Sequence, residues 1–245
     1  MLKIKFIILI ILMCLVSACG GSVENITNYN IFDSNSTNHN LSYDWLDIYN
    51  ENIDKTVRIE VINNRVTKSG SGFFVKNDII VTNYHLVDLE NIIRIRITLH
   101  DGTRIYGRGI DDSLERRDIA FIKVDPQNIE PVIIGQFDSI NILDNIMNIS
   151  NPLDLEWSAN LGYVSAFRYA CDVGADWVDG DTELIQFDIL CDHGSSGSLI
   201  LNIYGEVIAI EFAGYADVIG EFRFGISIDY ILSKLEDDYF VFNNI

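Results

Sequence analysis

The chain has 245 residues with an ordinary share of apolar side chains. That is enough for one two-layer or double-barrel domain, or two small ones, with ample core, and it excludes disorder throughout. The formal net charge of −19 argues against nucleic-acid binding and against an electrostatic grip on anionic lipid; it reads as a solvated acidic surface that tends to favour basic partners.

Residues 1–18 read as a leader. Lys3 and Lys5 form a charged start, and Phe6 to Val16 is an apolar run too short to span a membrane as a mature helix. Leu15-Val16-Ser17-Ala18-Cys19-Gly20 resembles the lipobox of bacterial lipoproteins. The resemblance implies cleavage before Cys19 and lipidation of its thiol; an ordinary secretory signal is the alternative. Residues 19–44, rich in Asn, Ser and Thr, read as a flexible tether. The mature chain then hangs from the envelope by a lipid, on the outer membrane if there are two, since Gly20 does not resemble the Asp that retains lipoproteins at an inner membrane.

Residues 45–245 read as one domain. Trp45 to Lys55 has near-helical apolar spacing. From Thr56 the pattern is of short strands: Val57–Ile62, Phe73–Val75, Ile79–Thr82, Ile93–Leu99, Arg104–Arg108 and Ile119–Val124, with Ser69-Gly70-Ser71-Gly72 as a turn and Asp101-Gly102 as a tight hairpin. After Pro131 the style repeats: Val132–Ile134, Asn145–Ile149, Leu161–Arg168, Glu183–Leu190, Leu199–Asn202, Val207–Phe212 and Phe222–Ile228. Two β modules of similar size, about 55–130 and 131–230, suggest two packed barrels. Tyr230–Leu235 reads as a short terminal helix.

The chemistry concentrates in Cys191-Asp192-His193-Gly194-Ser195-Ser196-Gly197-Ser198. A Gly-Ser turn between strands can push a hydroxyl outward and aim successive N–H groups at one point, as acyl transfer requires. Alone it reads better as a polar hairpin turn, and the residues upstream reverse that. His85 lies at the end of an apolar strand, where a buried structural histidine is the plain alternative. Asp118 lies at the mouth of a run that must be buried.

Thr82-Asn83-Tyr84-His85, Asp118-Ile119-Ala120 and Gly194-Ser195-Ser196-Gly197-Ser198 together resemble the three motifs of trypsin-like serine peptidases, in the order His, Asp, Ser, which is one of several on unrelated folds. From about Val57 to Leu235 the chain is most similar to HtrA/Deg-like peptidases. The resemblance implies an all-β fold of two six-stranded antiparallel barrels with a short C-terminal helix, and a serine endopeptidase acting on protein or peptide substrates. It implies His85, Asp118 and Ser196 as catalytic residues, the N–H groups of Gly194 and Ser196 as oxyanion hole, and neither cofactor nor metal. His193, Glu211 and Phe212 are candidates for the substrate pocket. Glutamyl endopeptidases, which the Gly197-Ser198 ending also resembles, carry a histidine at the position of Glu211; a carboxylate there favours Lys or Arg beside the scissile bond if it lines the pocket. HtrA-type chains usually carry a PDZ module after the peptidase domain, and none is expected here.

The position of the acidic loop Cys171–Thr182 resembles that of a regulatory loop in HtrA peptidases. Asp172, Asp176 and Glu183 fit calcium-loop positions, but Trp177 replaces the required glycine, so a solvated loop is expected. If Leu161–Ala170 pairs with Glu183–Leu190 so that Cys191 opposes Tyr163, Cys171 lies roughly 26 Å away along the strand. Both thiols are therefore expected to be free. The competing reading is a catalytically silent binding module or adhesin on the same scaffold.

Overall fold

The computed structural model describes residues 44–152, 155–189, 191–215 and 222–245. The leader, Cys19, the tether up to residue 43 and His39 lie outside the described residues. Among the described residues no helix is long and apolar enough to cross a membrane.

The domain opens with α1 (Trp45–Asn52), started by Asp44, whose carboxylate accepts the Leu46 N–H at 3.1 Å. Seven strands and a one-turn helix follow: β1 (Thr56–Ile62), β2 (Thr67–Lys76), β3 (Ile79–Thr82), α2 (Tyr84–Val87), β4 (Arg94–Thr98), β5 (Arg104–Tyr106), β6 (Gly109–Leu114) and β7 (Ile119–Lys123). The second half contains β8 (Ile133–Ile134), β9 (Asn145–Ser150), β10 (Ser158–Tyr169), β11 (Glu183–Phe187), β12 (Leu199–Leu201), β13 (Glu206–Tyr215) and β14 (Phe222–Ser227). The chain closes with α3 (Asp229–Asp237) and β15 (Asn243–Asn244).

In the second half β12 pairs with both β9 and β13, so six antiparallel strands close into a barrel in the order β9-β10-β11-β14-β13-β12. The first half is not a second closed six-stranded barrel. Its order is β15-β6-β7-β3-β2-β1-β4-β5, eight strands rolled into a half-barrel. The run 104–114 begins against β4 and ends against β7, and the ladder breaks where it changes neighbour: Gly107 N–H donates to Ile95 and Arg108 N–H to Lys123. The terminal strand β15 then extends the sheet beyond β6.

Period-two alternation explains the continuously apolar strands. In β2, β3 and β7 the residues Phe73, Val81 and Phe121 face one cluster, while Phe74, Ile80 and Ile122 face another. In β12, Leu199 and Leu201 face the first of these clusters and Ile200 the interior of the closed barrel. The shared cluster is the seam between the two halves, and α1 and α3 seal it with Ile48 and Ile231. Strands at the seam are buried on both faces and so lose the polar alternation of a half-exposed sheet.

Ser69-Gly70-Ser71-Gly72, read as a turn, is the middle of β2. Its glycines answer a need for space. A Cβ on Gly70 would lie 2.6 Å from the Leu86 side chain and 3.0 Å from the Ser196 carbonyl, and one on Gly72 would lie 2.7 Å from the Val81 carbonyl. Gly70 is bare where Leu86 and the serine turn of the other half press on the strand, and Gly72 where its own neighbouring strands β1 and β3 do.

Candidate active site

The site lies on the seam. Asp118 follows a short 3-10 turn (Glu115–Arg117) and takes the left-handed conformation, φ 55°. Its carbonyl accepts from Tyr84 N–H and from Asn83 Nδ2, both at 3.1 Å. The same residue's carboxylate accepts twice from His85: Oδ1 from the backbone N–H and Oδ2 at the ring Nδ1, each at 2.7 Å. A carboxylate only accepts, so Nδ1 carries a proton, and in the neutral ring that tautomer leaves the lone pair on Nε2. Asp118 is buried, while His85 is half-exposed.

Ser196 arrives from the opposite half. Its turn is tied to β2 at two points: Ser71 N–H donates to the Ser196 carbonyl at 2.9 Å, and Ser71 Oγ donates to the Gly194 carbonyl at 2.8 Å. Ser71 Oγ also accepts from Asn151 N–H and Nδ2, at 3.0 and 3.1 Å, and the Ser71 carbonyl accepts from Thr82 Oγ1 at 2.7 Å. Gly197, at φ 84°, sits where a Cβ would overlap the Ser71 carbonyl and approach Thr82 Oγ1 to 2.5 Å. Ser195 is turned inward, its Oγ accepting from Asp192 N–H. Gly194 has φ 100°. Among the described residues no protein oxygen accepts from the N–H of Gly194 or of Ser196.

His85 and Ser196 share the wall of a cavity of about 420 Å³, with Lys68, Ser69, Leu86, His193 and Gly194. Among the described residues no hydrogen bond joins the His85 ring to the Ser196 hydroxyl in this state. A larger cavity of about 680 Å³ opens elsewhere, around Ile140, Leu143 and Tyr204. It holds none of this chemistry.

Of the three pocket candidates, His193 lines the cavity and Glu211 and Phe212 do not. Glu211 is buried behind the serine turn, where its backbone bonds Gly197 and Ser198 and its carboxylate accepts from Ser198 Oγ at 2.9 Å. Asn148 Nδ2 donates to the same hydroxyl at 2.6 Å. Burial pushes the Glu211 carboxyl up to about 7; bonds from Ser198 and Cys191 and the charges of Arg223 and His85 act the other way. Phe212 is buried against Trp177, ring centroids 5.6 Å apart.

The acidic loop is not simply solvated. Arg116, one of the two arginines before Asp118, holds Asp179 at 2.7 Å, and Arg117 holds Asp181 at 2.6 Å and Thr182 Oγ1 at 2.9 Å. Asp172 caps its own turn by accepting from Tyr169 N–H. Cys171 and Cys191 are free thiols. The observed register is offset from the expected one, with Val164 opposite Phe187 and Tyr169 opposite Glu183; a bulge between Val164 and Ala166 accounts for one residue of the offset. Burial and the nearby Glu211 carboxylate push the Cys191 thiol up, which leaves it inert.

Sequence reasoning overlooked Ser71, Asn151 and Lys68. Ser71 was hidden in a stretch whose glycines read as a turn. For Asn151 and Lys68, distant partners define the role and no local pattern does.

Residues 70–210 match the family model described as trypsin-like peptidase domain. The putative serine protease HhoA of Synechocystis is 37% identical over 171 residues, 67% of this chain and 41% of the relative. The probable periplasmic serine endoprotease DegP-like of Chlamydia muridarum is 32% identical over 168 residues, 67% of this chain and 32% of the relative. This chain thus spans well under half the length of these curated relatives. Among solved structures, the HtrA-type protease AlgW with tripeptide superposes with a TM-score of 0.70 at 20% identity, covering 79% of this chain and 63% of that one, a likeness of fold. The chain belongs to the family of trypsin-like peptidase domains.

Proposed function

We propose that the protein is a serine endopeptidase that cleaves peptide bonds of protein substrates through His85, Asp118 and Ser196. One observation carries the reading: an Asp-bound imidazole with a free Nε2 faces the same cavity as a half-buried serine flanked by two uncommitted N–H groups. In the reaction Ser196 Oγ adds to the scissile carbonyl while His85 Nε2 takes its proton. The carbonyl oxygen, now an oxyanion, is held by the N–H groups of Gly194 and Ser196; losing one such donor typically costs about 100-fold or more in rate. Asp118 keeps the ring in the right tautomer and stabilises the imidazolium. That proton passes to the leaving amine, and the acyl-serine bond breaks when water, deprotonated by His85, attacks it.

Residues 1–18 serve as a lipoprotein signal and 19–44 as tether, and lipid on Cys19 holds the peptidase domain on the extracytoplasmic side of the envelope. The leader sequence and a relative named as periplasmic support that placement. The second reading, a silent binding scaffold, draws on the absence of a ring-to-hydroxyl bond in this state. Labelling with a fluorophosphonate probe separates the two. Ser196 is expected to be modified in the wild type and in neither Ser196→Ala nor His85→Ala. Failure to label the wild type, with unfolded protein added as activator, leaves only the scaffold.

A further inference from the structure

The cavity that holds His85 and Ser196 differs in charge from the rest of the surface. In a chain of net charge −19, no carboxylate among the described residues lines it. The other cavities carry Asp144 and Glu206, or Asp138, Asp172 and Glu183, or Asp88 and Asp112.

Its permanent charge is Lys68. This residue sits in β2 opposite Val61, and its ammonium donates to the carbonyl of His85 at 2.6 Å and of Asp88 at 3.0 Å. An ammonium has three donors, and two carbonyls fix this one in place. A surface lysine ordinarily loses side-chain entropy when it pairs; here most of that loss has already occurred. Among the described residues no carboxylate lies within ion-pairing distance of Lys68. Asp88 offers it a carbonyl, and the Asp88 side chain borders a neighbouring cavity. The same cavity is lined by His193, an exposed residue whose backbone N–H is held by the Asp192 carboxylate at 2.7 Å.

Two electrostatic effects compete for a substrate. The acidic surface attracts basic chains from afar, but at physiological salt it is screened beyond about 8 Å. The fixed ammonium acts at contact, beside the backbone of His85. Close to the scissile bond the local charge prevails.

We infer that this site, taken as the peptidase proposed above, prefers substrates that place a carboxylate within a few residues of the scissile bond, with Lys68 as the specificity-determining cation. The carboxylate comes from an Asp or Glu side chain or from the free end of a peptide. The expected preference is about three- to tenfold, the range of a partly exposed, preorganised ion pair.

The test uses the full-length protein and quenched fluorescent peptides in which one position at a time, three residues either side of the cleaved bond, is Glu, Gln or Lys. Each peptide is made with a free and an amidated C-terminus. Wild type is expected to cleave a Glu peptide with a kcat/KM about three- to tenfold above its Gln partner at one position, or a free-ended peptide above the amidated one. The two arms tell side chain from terminus. Lys68→Met should bring that ratio to one, Lys68→Glu should invert it toward Lys peptides, and Lys68→Arg should keep most of it. Molar salt should shrink it. Because the ratio is taken within each variant, a general loss of activity from disturbing His85 does not mimic the result. A ratio near one in wild type, or one unchanged in Lys68→Met, overturns the inference. If no peptide is cleaved, the peptidase reading fails separately, and binding of the same peptides is measured. A Glu-over-Gln difference lost in Lys68→Met then upholds the carboxylate preference, and equal binding overturns it.

Discussion

Glu211 is an acid whose folded pKa is raised, from 4.5 to about 7, so the folded protein binds a proton that the unfolded chain releases. The stability it contributes is complete below about 4.5 and is lost as pH rises through about 7, a change of about 3 kcal/mol in all. Glu211→Gln keeps an acceptor for Ser198 Oγ and removes the titration. The melting temperature of the variant, compared with wild type, should therefore rise from pH 5 to pH 8; a constant difference across that range refutes the assignment. Gly197 allows a second prediction at this scale. Its φ of 84° and the overlap of any Cβ with the Ser71 carbonyl make Gly197→Ala cost about 2–4 kcal/mol, measurable by denaturant unfolding. The same geometry marks a limit of legibility. His85, Asp118 and Ser196 stand in local motifs, so their placement was readable. The inward turn of Glu211 was not, because it depends on Asn148 of β9 and Ser198 of the serine turn coming together.

At the scale of elements, the 3-10 turn before Asp118 is strapped to the β10–β11 loop by Arg116 and Arg117, and the Arg117 guanidinium lies 4.8 Å from the Tyr230 ring centre on α3. Two segments remote in sequence, the β10–β11 loop and α3, thus hold the backbone that presents Asp118. Arg117→Ala should slow fluorophosphonate labelling of Ser196 by about three- to tenfold through a less well-placed His85. Asp181→Ala should do less, because Thr182 and Tyr230 still hold the arginine. Labelling rates that fall equally in both variants would contradict this division of roles. Strand existence was largely readable from alternation, and Asp101-Gly102 marked its hairpin, with Gly102 at φ 83°. The 69–72 stretch misled because glycine serves close packing as well as turning. β6 was obscured by Asp111 and Asp112, polar residues in a strand: Asp111 is buried there because it bonds the last segment of the chain.

That bond matters for the whole molecule. Asp111 accepts from Val241 N–H at 2.6 Å and from Ser113 N–H at 2.9 Å, and pairs with Lys234. Burial opposes its ionisation, yet these bonds prevail and hold the carboxyl below its usual range. Ending the chain after Asp237 removes Val241, β15 and the packing of Phe240 on Phe121. A loss of about 2–4 kcal/mol is expected from the exposed core and the lost Val241 bond to the Asp111 carboxylate. Calorimetry that finds no change would show the segment to be ornamental. The seam itself has a further consequence. Ser71 bonds Gly194 across 123 positions of chain, and the acid–base pair and the serine belong to opposite halves. In the peptidase proposed above, a molecule whose halves have not yet docked has no assembled site. Copies that are still folding are then spared from one another, and hydrolysis by the proposed peptidase awaits the docking of the two halves.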